Sequence, residues 1–330
     1  GDIIFGKIGT IGYPKFLPSV PFRYALSANV LLIQPNIEPF FLMAYLRSST
    51  ARKNVERELH STSQAAFGIH KMRKLLIPQP PAPEQRAIAA ALSDVDALLS
   101  GLDSLIAKKQ GLKVAAMQQL LTGQTRLQGF SINSKFKQTE VGMIPEDWDV
   151  LPMATLTTEF RGGAPLKPTD FTDRGVKVLP KGGVGRTGIL RIAEKDIQFC
   201  RPEYADAHPR NQVDKAFTIV VLRDLVPSGP SIGLMVEIDT DESFVLAQGV
   251  YGFKVIKERA DARYLIQLSN TSWYRNLANS IMVGSTQVHI TNTAYKKAAL
   301  PVPPLPEQTA IATVLSDMDT ELSALQARRS

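Results

Sequence analysis

Pro81-Ala82-Pro83-Glu84-Gln85-Arg86-Ala87-Ile88-Ala89-Ala90-Ala91-Leu92-Ser93-Asp94-Val95-Asp96 is written a second time as Pro304-Leu305-Pro306-Glu307-Gln308-Thr309-Ala310-Ile311-Ala312-Thr313-Val314-Leu315-Ser316-Asp317-Met318-Asp319, at a constant offset of 223 residues. The register holds upstream, where Phe41-Leu42 falls on Tyr264-Leu265, Arg52 on Arg275, Gln64 on Gln287 and Ile77-Pro78 on Leu300-Pro301. With small gaps, Ile11-Gly12 meets Ile232-Gly233. Solenoid repeats run to about 20–50 residues. A copy here is the size of a domain, so the chain is a tandem of two large modules.

Each copy of the repeated block reads as a helix. Pro83 and Pro306 suit a first helical turn, where the missing N–H costs nothing, and Glu84 and Glu307 place negative charge at the positive end of the helix dipole. Ile88, Leu92, Val95, Leu99, Leu102 and Ile106 then alternate steps of four and three, as do Ile311, Leu315, Met318, Leu322 and Leu325. That 3.5-residue period is a coiled-coil seam, and the simplest pairing is of one copy with the other. From Glu84 to about Leu121 the first helix would extend on the order of 55 Å, as much a spacer as a core element. Each helix is entered through a stiff proline-rich joint, Ile77-Pro78-Gln79-Pro80-Pro81 and Leu300-Pro301-Val302-Pro303-Pro304.

The globular parts read as mixed α/β. The second, from about Phe136 to Pro303, has β-rich runs at Val176–Leu179, Phe217–Leu222, Val245-Leu246 and Val250–Val255. A helix is expected from Ala262 to Ala278, with Leu265, Leu268, Trp273 and Leu277 inward. The expected division is a first module over 1–80, a spacer helix over 81–127, a second module over 128–303 and a second spacer helix over 304–330.

Composition narrows the chemistry. At 330 residues, 44% hydrophobic and 21% charged, the chain can bury real cores. One cysteine, Cys200, and four scattered histidines supply neither a disulfide framework nor a zinc cluster, so a reducing cytoplasm is the expected setting. No apolar run of the length a membrane span needs is present. The net charge of +7 suggests a polyanionic partner. Gly183-Val184-Gly185-Arg186-Thr187-Gly188 has the GxGxxG spacing, but Ile189-Leu190-Arg191 does not open a helix, and the segment reads as a loop carrying Lys181 and Arg186. Asp94 and Asp96, repeated as Asp317 and Asp319, do not share a helix face and read as polar surface, not as a metal site. His60, His208 and Cys200 have no sequence neighbours that would form a nucleophile and base. Neither a phosphate loop nor a binding motif for S-adenosylmethionine is found, so the chain reads as a non-enzyme without a cofactor of its own.

These features resemble the DNA-specificity subunit of type I restriction-modification systems. The resemblance is carried by the Pro-x-Pro-Glu-Gln helices at 81–85 and 304–308, by Leu120-Leu121-Thr122-Gly123 and by Gly1–Gly12. Gly142-Met143-Ile144-Pro145-Glu146-Asp147-Trp148 and Gly284–Ile290 add to it. It implies two α/β target-recognition domains held apart by two long helices in an antiparallel coiled coil, each domain reading one half of a split double-stranded DNA site. It also implies modification subunits docked on the helices and a separate ATP-driven restriction subunit, with S-adenosylmethionine, ATP and Mg on those partners. A DNA-free scaffold, or an inactive relic of such a subunit, is the alternative. Candidate DNA contacts are Lys181, Arg186, Thr187, Ser285, Thr286, Gln287 and His289 in the second module, and Lys7, Thr10, Ser63 and Gln64 in the first. Because Gln64 and Gln287 are the same residue in two modules that should read different half-sites, a shared phosphate or backbone role suits them better than base reading.

On the tandem register, Gly1 corresponds to about residue 223 of a second module that starts near 136, so roughly 85 residues of a complete first domain are not represented. Likewise Ser330 corresponds to position 107, short of the expected end of the first helix at about Leu121. The isolated segment 1–80 is therefore expected to be unstable; thermal denaturation of that peptide should show no cooperative transition.

Overall fold

The computed structural model describes residues 1–9, 11–18, 25–59, 66–130 and 135–330. It divides into two compact units, residues 1–105 with Arg329 and residues 106–328 with Ser330. In the first, strands β1 (Ile3–Gly6), β2 (Pro14–Phe16) and β3 (Val30–Ile33) form an antiparallel sheet in the order β2-β1-β3. Helices α1 (Pro39–Arg47), α2 (Ser49–Leu59) and α3 (Ile69–Arg73) follow, and α4 (Ala82–Leu120) begins. Ile3, Phe5, Leu42, Met43, Leu46, Val55 and Phe67 make the core of this unit. Alternation along β1 and four-residue steps along α1 bring these side chains to one side.

The second unit holds β4 (Phe136–Thr139), β5 (Gly142–Pro145), β6 (Asp149–Pro152), α5 (Met153–Leu156), β7 (Thr157–Gly162), β8 (Phe171–Thr172), β9 (Val176–Leu179) and β10 (Gln198–Cys200). Then come α6 (Pro202–Ala207), β11 (Gln212–Val213), β12 (Thr218–Val221), β13 (Arg223–Asp224), β14 (Met235–Glu237), β15 (Phe244–Leu246) and β16 (Val250–Val255). The chain continues through α7 (Ala262–Ser269), α8 (Ser272–Ser280), β17 (Val288–His289), α9 (Asn292–Lys297), β18 (Ala299–Val302) and α10 (Leu305–Arg329). One sheet runs β14-β12-β16-β7, a second β11-β15-β9-β10-β8, and β18 pairs with β6. β12 is buried along its whole length, which is why Thr218–Val221 is an unbroken β-branched run and not an alternating one.

The repeat is visible as an architecture. The order β2-β1-β3 recurs as β14-β12-β16, with Phe5↔Pro14 matched by Val220↔Met235, and each sheet is followed by three helices and then a long one. Gln85 and Gln308 explain the retained glutamine. Gln85 Oε1 accepts from Glu38 N at 3.0 Å while its Nε2 donates to Pro80 O at 2.8 Å. Gln308 Oε1 accepts from Asp261 N at 2.9 Å and its Nε2 donates to Pro303 O at 2.8 Å. Glu38 and Asp261 are the N-caps of α1 and α7, so each glutamine ties a long helix to the cap of a domain helix.

In the second unit the end of α4 enters the principal core. Met117, Leu120 and Leu121 pack in one cluster with Trp148, Leu265, Ile311 and Leu315. Arg126 donates to both Glu307 oxygens, at 2.5 and 2.6 Å, and to both Asp147 oxygens at 2.9 Å. Trp148 Nε1 also donates to Glu307, at 3.1 Å. Glu307 is wholly buried, and three N–H donors satisfy its charge. Lys109–Glu321 and Lys113–Asp319 ion pairs, at 2.8 and 2.5 Å, show that the paired stretches of α4 and α10 run antiparallel.

The heptad positions differ in cover. Ile311, Leu315 and Leu322 are buried, and Met318, Leu325, Ile88, Leu99, Leu102 and Ile106 are half-buried, whereas Leu92 and Val95 are 46% and 51% exposed. The single helix expected over 262–278 is two, because Thr271 leaves helical geometry and its hydroxyl accepts from Tyr274 N to cap α8. Glu307→Gln should lower stability by about 3–5 kcal/mol, since it takes the buried partner from a buried arginine and leaves it only the largely exposed Asp147. The matching change at exposed Glu84 should stay within about 0.5 kcal/mol. Urea denaturation of the two variants checks the contrast.

Candidate nucleic-acid interface

The second unit gathers polar side chains where β12 ends. Asp224 is 2% exposed, and its carboxylate accepts from Lys181 Nζ at 2.6 Å, Ser231 Oγ at 2.7 Å and Val226 N at 3.3 Å. Burial pushes this carboxyl up, but the ammonium and the two other donors outweigh it and hold the pKa at about 2. The carboxylate therefore stays charged and shapes the loop 225–230. Arg275 braces the same loop from α8, donating to the carbonyls of Ile232, Gly229 and Pro230. The loop presents Leu225 and Val226, 64% and 49% exposed.

Beside it lies the hairpin turn of 283–289, closed by Val283 N to His289 O and His289 N to Val283 O, both 2.9 Å. Gly284 has φ +111°, and a Cβ there would meet Gln287 O at 2.1 Å, so the tight turn requires glycine. β17 of this hairpin pairs with β13, placing His289 opposite Arg223, and Arg223 Nη2 donates to Gln287 Oε1 at 3.4 Å. Lys181, Arg223, Leu225, Gln248 and Gln287 line a cleft of about 410 Å³. Arg223 and His289, with Tyr251 and Asn292, line a neighbouring one of about 380 Å³. Donors, acceptors and exposed apolar groups thus share one surface, the mixture that reading base edges requires.

Lys181, Gln287 and His289 come together here, with Ser285 and Thr286 exposed on the connecting turn. Arg186 and Thr187 do not. They line a separate cleft beside α4, α7 and α10, and Thr187 Oγ1 closes its own turn on Ile189 O at 3.0 Å. Lys181 is engaged by Asp224, whereas Arg223 forms no ion pair among the described residues and bonds only the uncharged Gln287; sequence reading missed Arg223 together with Gln248 and Leu225. A signal for them existed in the strand end Leu222-Arg223-Asp224 and the exposed apolar pair before Pro227-Ser228-Gly229-Pro230.

In the first unit, Lys7 N donates to Asn29 O and Lys7 O accepts from Phe67 N, as Leu222 N donates to Gly249 O and Leu222 O accepts from Ile290 N. Lys7 therefore occupies the place of Leu222, and Ile8, 49% exposed, that of Arg223. Thr10, Ser63 and Gln64 lie outside the described residues. Among the described residues no cluster of His, Cys, Asp or Glu suits a metal ion, and no helix is long and apolar enough to cross a membrane.

Comparison with known proteins places these features. Residues 1–108 and 211–330 match the type I restriction modification DNA specificity domain, the first match over the first unit and the second over the later part of the second unit. The chain is 27% identical over 327 residues to the putative type I restriction enzyme MjaX specificity subunit of Methanocaldococcus jannaschii, covering 97% of this chain and 72% of that protein. It is 28% identical over 244 residues to the MjaVIII specificity subunit of the same organism, covering 74% of this chain and 55% of that protein. The chain thus spans about half the length of the MjaVIII relative. Among solved structures, the HsdS subunit from Thermoanaerobacter tengcongensis aligns with TM-score 0.52 and 17% identity, over 100% of this chain and 75% of that one. The type I restriction-modification S subunit from M. genitalium aligns with TM-score 0.58 and 13% identity, over 99% and 78%. With a matched family description over more than half its length, the chain belongs to the type I restriction-modification DNA specificity family.

Proposed function

We propose that this protein gives a type I restriction-modification complex its DNA sequence choice, the second unit reading one half of a split site through the surface around Arg223. The observation that carries this reading is the convergence of Arg223, Gln248, Gln287 and His289 on two adjoining clefts at the sheet edge. Arg223 offers donors able to bond base edges, and Leu225 and Val226 an apolar surface for a thymine methyl. Lys181 organises the loop through Asp224 and contributes little free charge to the DNA. Catalysis belongs to other subunits of such complexes, and the role of this chain is binding and positioning.

The first unit, by the same proposal, reads the other half. It presents Ile8 at the place of Arg223, so the two half-sites differ where their readers differ. The antiparallel helices set the spacing between them. DNA groove positions recur about every 34 Å, so the length of a stiff helix pair is written directly into the number of unread base pairs. Modification subunits that hold S-adenosylmethionine, and an ATP-driven restriction subunit, are the protein partners.

Methylome sequencing of cells carrying the partner modification subunit, with and without this gene, tests the proposal. A split motif methylated only in its presence is the expected result; an unchanged methylome with the complex assembled would leave a scaffold as the better account. Arg223→Ala should weaken binding to the motif by about 1–3 kcal/mol if it bonds a base, and should relax the preference at one position. If it meets only phosphate, the loss will be uniform across sequences and the salt slope will fall by about 1. Titrations of a duplex panel at two salt concentrations separate the two.

A further inference from the structure

In the second unit β13 and β17 form a two-stranded ribbon of their own, apart from the larger sheets, with Arg223 opposite His289 and Asp224 opposite Val288. Side chains alternate across a ribbon, so it has an inner and an outer face. Asp224 and Val288 are buried on the inner face, whereas Arg223, Gln287 and His289 are exposed on the outer one. Main chain holds the ribbon from behind. Leu222 N donates to Gly249 O at 3.0 Å, and Leu222 O accepts from Ile290 N at 2.9 Å. Gly249, at φ +89°, lies so close that a Cβ there would meet Arg223 Cβ at 2.9 Å. The Arg223 side chain thus leaves a fixed backbone, and its Nη2 donates to Gln287 Oε1 at 3.4 Å. Asp224, the adjacent acid, is turned inward and taken by Lys181.

We propose that Arg223 reads a guanine in the major groove of its half-site, and that Gln287 is the residue that positions it. This inference rests on the proposed DNA-reading role of the second unit and names the base. The major groove of B-DNA admits a two-stranded ribbon, whereas the minor groove, at about half the width, is too narrow for one. A guanidinium carries donors only, and guanine is the base whose major-groove edge sets two acceptors, N7 and O6, side by side. Adenine offers an acceptor beside a donor, and thymine an acceptor beside a methyl group. A planar fork discriminates among these edges when its plane is held, and an uncharged carbonyl oxygen holds it without neutralising the cation as a carboxylate would. With Oε1 engaged by Arg223, Gln287 does not have both ends of its amide for the paired bonds by which a glutamine selects adenine.

The test is methylome sequencing of cells that carry the partner modification subunit with the parent chain, Arg223→Ala, Gln287→Leu or Gln287→Glu. The parent is expected to give a split motif with a guanine in one half. Arg223→Ala should keep the rest of that motif and relax the guanine, methylation of sites substituted there rising roughly tenfold or more relative to intact sites. Gln287→Leu should relax the same position and no other, while Gln287→Glu, which keeps an acceptor for Nη2, should retain the guanine. A merely structural role for Gln287 would instead lower methylation at every site alike. Both residues are exposed, so the changes spare the core. A motif in which no guanine responds to Arg223→Ala, or methylation that falls uniformly across sites in both Arg223→Ala and Gln287→Leu, would overturn the guanine assignment while leaving the unit a DNA reader. A parent without gene-dependent methylation would overturn the DNA-reading role itself, and the assignment with it.

Discussion

The buried carboxylate of Glu307 is the constraint on which the second unit is organised. A charge removed from water is tolerated only when its lone pairs are filled, and here Arg126 and the Trp148 indole fill them. Those donors come from beyond the end of α4 and from the start of the second globule, while Glu307 opens α10. One acid therefore joins three parts of the chain that are far apart in sequence. The apolar cluster of Met117, Leu120, Leu121, Trp148 and Leu315 then closes around the ion pair. Asp147, largely exposed, adds a second carboxylate to the same guanidinium, which burial alone would pull toward deprotonation and the two acids hold charged.

Against this fixed frame the candidate reading surface is built from short loops. Asp224 gathers Lys181 and Ser231, Arg275 braces the carbonyls of the following turn, and Gly284 permits the hairpin that carries Gln287. Such second-rank contacts restrict where Arg223 and Gln287 stand without engaging their polar groups fully. Comparison of the two units sharpens the point. Backbone hydrogen bonds at Lys7 and Leu222 are the same, yet the next residue is Ile8 in one and Arg223 in the other. Bonds made by main chain are the same in both units, while the exposed side chain that follows them differs.

Several elements were legible because their cause is local. The Pro-x-Pro-Glu-Gln entry and the 3.5-residue period predict both long helices, and β-branched runs predict β9, β12 and β16. The break between α7 and α8 was not, since Thr271 in a helical pattern reads as a tolerated interior residue until its hydroxyl is seen capping the next helix. The candidate interface was half legible. Lys181 and the turn of 284–287 lie where loop residues were expected, but a loop lysine looks free in sequence, and only the fold brings buried Asp224 against it. Arg223, at a strand end, carried no motif of its own.

Duplication, the two long helices, the proline joints and the family itself follow from the order of residues, because periodicity and repetition are properties of the chain. The tertiary structure alone decides that the repeated Gln85 and Gln308 latch the caps of α1 and α7. It also decides that Glu307 is sealed while Glu84 stands in water, and that Arg186 lies apart from the cleft of Arg223. Identical letters take different roles because burial, and the distance to an opposite charge, are set by segments hundreds of residues away.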